Sequence, residues 1–137
     1  MNSNETAVNA ENPPLQFAIP LEGRVRIRFG DTLSNGETAN GIQIDCADGD
    51  TVHAGAPGTV QATGHDTANS YYVQIRHTGG WVSQYTNLQT LDILQGDTVT
   101  QGQPLGSAAG HLWLHIRLQN QFYNPLDVIN PDAIRQK

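Results

Sequence analysis

A chain of 137 residues is long enough for one domain with a buried core. Its 13 acidic and 7 basic residues give a formal charge of -6, which repels phosphate and argues against a nucleic-acid partner. One lysine (Lys137) and one cysteine (Cys46) exclude functions built on an internal lysine, such as a Schiff base, a P-loop or a lipoyl attachment, and also an internal disulfide or cysteine-based zinc site.

In chain order, residues 1–14 are polar and close on Pro13-Pro14, which predicts a flexible arm. They lack the basic and apolar regions of a signal peptide. No run of about 18 apolar residues offers a transmembrane segment. One β domain is expected over 15–130, with a tail at 131–137. Arg24 to Phe29 alternates strictly, Val25, Ile27 and Phe29 against Arg24, Arg26 and Arg28. A polar loop follows from Gly30 to Asn40. Gly41 to Asp45, Thr51 to Ala54 and Gly58 to Thr63 read as three further strands. Tyr71–His77 and Trp81–Tyr85 form a predicted hairpin around Thr78-Gly79-Gly80, whose glycines supply the positive φ of the turn. Two Gln-Gly turns flank Val99, His111–Leu118 alternates again, and Phe122–Ile129 closes the domain. Short strands with turn signals every 8–12 residues or so predict an all-β fold, an antiparallel β-sandwich or hybrid barrel.

The order of these pieces resembles a known family. Phe17-Ala18-Ile19-Pro20-Leu21-Glu22-Gly23-Arg24-Val25 is similar to the F-x-x-P-x-x-G-x-V opening of the M23 (LytM/lysostaphin-like) peptidase domain. Gly41-Ile42-Gln43-Ile44 through Val60 resembles, without a gap, its G-I-D-I segment and the two turns that follow. Val73 to Gly80 resembles V-x-I-x-H-x-x-G, and Tyr85-Thr86-Asn87-Leu88 stands at Y-x-H-L. Gly96 to Gly106 resembles G-D-x-V-x-x-G-Q-x-I-G, and Leu114-His115-Ile116 and Asn124-Pro125 stand at L-H-F and N-P. The resemblance covers roughly residues 17–126.

The resemblance implies a zinc site made by the His and Asp of H-x-G-I-D and the second His of H-x-H, with further histidines in Y-x-H-L and first in H-x-H as proton-transfer or oxyanion partners. At these positions the chain carries Ala39, Gln43, His115, Asn87 and Trp113 in turn. Ala39 has no donor atom, and the neutral amide of Gln43 is a poor zinc ligand. Asn87 and Trp113 carry no titrating imidazole. One ligand of three does not hold catalytic zinc, so neither metal nor catalytic residue is expected. An alternative zinc site from Asp45, His111 and His115 requires a bulge near Asp45 and an irregular turn over 110–115. Gln43, Tyr85, Asn87, Trp113 and His115 are the candidate walls of a retained groove, into which Trp113 projects as a plug or a stacking surface.

Among other residues, His77 is expected to satisfy loop carbonyls, His53 and His65 to lie at the surface, and Cys46 to pack in a partly buried place. The three arginines of one strand face read as edge protection or as a docking patch for an acidic partner. The resemblance implies an extracytoplasmic, cell-envelope protein. The reading that follows is a degenerate member that binds or scaffolds, with a protein partner or peptidoglycan as its target. Its rivals are an active zinc endopeptidase of peptidoglycan cross-links using the shifted ligands, and a phosphohistidine carrier using His77 or His115.

Overall fold

Alternation of apolar and polar residues governs nearly every element of the computed structural model, which describes residues 16–67 and 70–129. The arm expected at 1–14 and the tail expected at 131–137 lie outside the described residues. The strands are β1 (Arg24–Ile27), β2 (Ile42–His53), β3 (Gly58–Thr67), β4 (Ser70–Arg76), β5 (Trp81–Leu91), β6 (Thr98–Val99), β7 (Pro104–Leu118) and β8 (Gln121–Tyr123). A short helix, α1 (Pro125–Val128), follows them. The strands form an antiparallel sheet in the order β1-β2-β7-β5-β4-β3-β6, with β8 added to β7. The expected all-β, antiparallel class is what the chain adopts.

The long strands β2, β7 and β5 are neighbours in the sheet, and their pairings are interrupted by register shifts. Register shifts fall between Asp45 and Thr51 on β2 and between Thr86 and Thr90 on β5. Bulges of this kind increase local twist and turn a strand. Both halves of these strands therefore feed one core, with Ile44 and Val52 from β2 and Leu105 and Leu114 from β7 in the same buried cluster. Here the prediction of two strands at Gly41–Asp45 and Thr51–Ala54 needs correction. Asp48-Gly49-Asp50 has turn composition, yet it is a bulged stretch within one continuous strand.

The β4–β5 hairpin closes through Thr78–Gly80, with Gly79 and Gly80 at φ 84° and 88°, as the turn requires. At the other end, the Asn124 side chain accepts a hydrogen bond from the backbone of Leu126 at 3.0 Å. Asn124 is thereby the N-cap of α1, and Pro125 takes the first helical position, where no amide hydrogen is needed. Among the described residues, no helix is long and apolar enough to cross a membrane.

Candidate functional site

The same alternation gives the central sheet two chemically different faces. Ile42 and Ile44 on β2, Ser83 and Tyr85 on β5, and Leu112, Leu114 and Ile116 on β7 point inward and are fully buried. The residues between them point outward. Cross-strand register sets Gln43 opposite Trp113, Trp113 opposite Thr86, and His115 opposite Gln84. Directly opposed residues share a face, so Gln43, Thr86, Gln84, Trp113 and His115 meet on one outer surface.

His115 lies at the centre of this surface. The Trp113 ring stacks on it, with centroids 5.9 Å apart and planes at 21°. Phe122 of β8 meets it edge-on at 6.0 Å. Gly41, just before β2, provides the floor: a Cβ there would come within 2.6 Å of His115 Cδ2 and 2.5 Å of the Leu114 carbonyl oxygen. Only a residue without a side chain lets the imidazole lie this close to the β2 backbone. The enclosure covers His115 Nδ1, which has no hydrogen-bond partner. Burial lowers the pKa of His115 below its ordinary value of 6.5 and favours the neutral ring at pH 7.

The other positions implied by the family resemblance are occupied differently. Ala39 is buried, 3% exposed, at the end of the loop entering β2. Asn87 sits at the β5 bulge with φ 79°, a left-handed conformation that asparagine tolerates better than most residues. Its amide nitrogen donates to the carbonyl oxygens of His111 at 2.9 Å and Ala109 at 3.3 Å. The expectation that Tyr85 lines the groove is incorrect. Gln84 and Thr86 take the outward phase of β5, so Tyr85 turns inward and is fully buried.

Asp45, His111 and His115 are not drawn together. From Ile42 to Asp45 the β2–β7 register runs without interruption, and the bulge lies beyond Asp45. Asp45 pairs across the strands with His111, and His115 is four residues further along β7, a rise of about 13 Å at ~3.3 Å per residue. The Asp45 carboxylate instead accepts a hydrogen bond from Arg26 Nε at 2.8 Å. Among the described residues, no three His, Cys, Asp or Glu side chains are grouped to hold a metal ion.

On the inner face, His77 Nδ1 donates to the Pro57 carbonyl at 2.7 Å. Its Nε2 lies 2.8 Å from Ser83 Oγ, and Ser83 Oγ lies 2.9 Å from the Tyr85 hydroxyl. That hydroxyl also accepts from the Gly55 amide at 3.1 Å. Burial holds the His77 pKa down, against an opposing effect of the Pro57 bond. Burial also pushes the Tyr85 pKa up to about 12. His77 meets the expected loop carbonyl, and at 4% exposure it is not placed to exchange a phosphoryl group with a partner. His65 is exposed and Cys46 half-buried, as expected, whereas His53, expected at the surface, is half-buried with its Nδ1 3.4 Å from the Pro20 carbonyl oxygen.

The outer face also holds a feature not anticipated from the sequence. Gln61 Nε2 donates to Gln74 Oε1 at 3.0 Å, Gln74 Nε2 to Gln84 Oε1 at 2.8 Å, and Gln84 Nε2 to Thr86 Oγ1 at 3.2 Å. This row of amides crosses β3, β4 and β5 and ends beside Trp113 and His115. All three glutamines fall on the polar phase of their strands, which was the available sequence signal. Their alignment depends on long-range register.

Residues 37–125 match Peptidase family M23. Cell division protein DipM of Caulobacter vibrioides is 29% identical over 93 residues, 67% of this chain and 15% of its own length. Peptidoglycan DD-endopeptidase ShyC of Vibrio cholerae is 29% identical over 92 residues, 62% of this chain and 21% of its own. The chain thus spans about a fifth or less of these curated relatives. Among solved structures, Helicobacter pylori Csd3 superposes with a TM-score of 0.75 at 20% identity, covering 85% of this chain and 33% of that one. A chain of the SpoIIIAH–SpoIIQ complex superposes with a TM-score of 0.74 at 23% identity, covering 83% of this chain and 100% of that one.

Proposed function

The chain belongs to peptidase family M23, and from that premise we propose that its domain is a non-catalytic binding or scaffolding module of the bacterial cell envelope. In this reading it works outside the cytoplasm on a protein partner or on peptidoglycan. The observation that carries it is the surrounding of His115. A catalytic zinc takes three protein ligands and keeps an open position for water. Here the unpartnered Nδ1 of His115 is one potential donor. Gln43 offers a neutral amide, Ala39 a buried methyl group, and the Asn87 amide is held by β7 carbonyls. This donor set does not fit the ion.

Binding needs shape and hydrogen-bonding groups, which the outer face retains. The relatives, named as a cell division protein and a peptidoglycan endopeptidase, support a cell-wall setting. A fold shared with a chain of a two-protein complex is compatible with a protein partner. The test is incubation of the purified chain with intact sacculi and, separately, with envelope extract. The reading expects stable co-sedimentation or capture of a protein partner, without release of soluble wall fragments. Zinc-dependent release of fragments, abolished by a chelator, would establish the active endopeptidase instead.

A further inference from the structure

The outer face of the sheet combines two chemistries side by side. One is the aromatic group of Trp113, His115 and Phe122, with successive centroids 5.9 and 6.0 Å apart. The other is the row of Gln61, Gln74 and Gln84. Its hydrogen bonds all run in one direction, each amide nitrogen donating to the next acceptor towards Thr86. A primary amide has two N–H donors and two acceptor lone pairs. After its row bonds, Gln74 therefore keeps one donor and one acceptor for a ligand. The amides are already ordered, which lowers the entropy lost when a ligand is bound.

Among the described residues of this surface, charge is found towards its ends. The Arg26–Asp45 pair lies beyond Gln43, and Arg76 and Arg117 lie two residues beyond Gln74 and His115 on their strands. The middle offers aromatic rings and neutral amides. Wall stem peptides carry carboxylates and ammonium groups, which need charged or well-solvated partners. An N-acetylated sugar ring is uncharged. It presents C–H faces to an aromatic ring and hydroxyl and acetamido groups that both donate and accept.

We propose that this face binds an uncharged N-acetylated glycan strand, its rings packed on Trp113 and Phe122 and its hydroxyl and acetamido groups hydrogen-bonded by Gln74 and Gln84. The proposal deepens the binding-module reading above and rests on it.

The test is titration of the full chain with a tetramer of N-acetylglucosamine, followed by side-chain amide and indole NMR resonances. Saturable shifts are expected at Gln61, Gln74, Gln84 and Trp113. Trp113→Ala and Gln74→Leu should each weaken binding about tenfold, the scale of one lost stacking or ordered polar contact, with the wild-type spectrum otherwise kept. Shift mapping on the unmodified chain does not depend on either variant folding. Absence of shifts up to about 10 mM tetramer, where even weak millimolar binding registers, would overturn the proposal. So would shifts confined to another surface, or a stem tetrapeptide shifting these residues in place of the sugar. Stem-peptide binding, or capture of a protein partner through this face, would refute the glycan but leave the binding-module reading standing. Wall cleavage would remove both.

Discussion

The two faces of the central sheet each hold a histidine whose pKa burial holds down, and they treat it in opposite ways. On the inner face, His77 bonds at both ring nitrogens, to Pro57 and Ser83, and the chain of contacts continues to Tyr85 and Gly55. On the outer face, His115 is enclosed by Trp113, Phe122 and Gly41 with one nitrogen unpartnered. A buried polar atom without a partner costs roughly 1–3 kcal/mol, whereas a fully satisfied network rigidifies its surroundings. The inner histidine therefore acts as a structural joint. The outer one carries a cost in stability that the inner one does not.

The largest effect should come from cutting the inner network. His77→Ala removes the side-chain partner of the Pro57 carbonyl, leaves the buried Ser83 hydroxyl with Tyr85 alone and opens a cavity, so urea unfolding should show a loss of about 2–4 kcal/mol. His115→Phe keeps an aromatic ring and removes the unpartnered nitrogen. Its stability should stay within about 1 kcal/mol of wild type, or rise. A loss as large as that of His77→Ala would erase the contrast between the two faces.

Asn87 offers a sharper, smaller test. Asn87→Ala loses two hydrogen bonds to β7 and places a β-carbon at φ 79°, for an expected loss of about 1–2 kcal/mol. Asn87→Gly relieves the backbone component and should cost less than Asn87→Ala when the two are compared by urea unfolding.

The pH dependence follows from the two lowered histidine pKa values. The folded state favours the neutral rings, so the unfolded chain binds more protons as pH falls. The stabilisation is fully present above the ordinary histidine pKa near 6.5 and is lost as pH drops from there through the folded values. Melting midpoints from pH 8 to 5 should fall on the acid side, and His77→Gln should flatten part of that slope. The smallest effect belongs to the exposed Arg26–Asp45 pair, where Arg26→Ala should change stability by no more than about 1 kcal/mol.

Local alternation and turn chemistry made much of this architecture readable from the chain. Val25 and Ile27 against the arginines, the Gly79-Gly80 turn, and the Asn124-Pro125 helix start all carry their cause within a few residues. The continuity of β2 is not legible locally, because Asp48-Gly49-Asp50 has turn composition and the bulge is set by pairing with β7. The Y-x-H-L resemblance groups Tyr85 with the groove, whereas the phase of β5, in which Gln84 and Thr86 face outward, turns it inward. Motif positions identified Gln43, Trp113 and His115, which register brings to one face. The glutamine row stayed hidden because it spans three strands, and a local sequence pattern does not fix their register.

Zinc titration of the purified, chelator-stripped chain, with metal content measured after dialysis, tests the central contrast most directly. A chain whose groove keeps only the His115 nitrogen should retain well under one zinc per molecule and show no saturable high-affinity step. Stoichiometric zinc that is lost in His115→Phe would show that the outer face still assembles a metal centre and would contradict the binding-module reading.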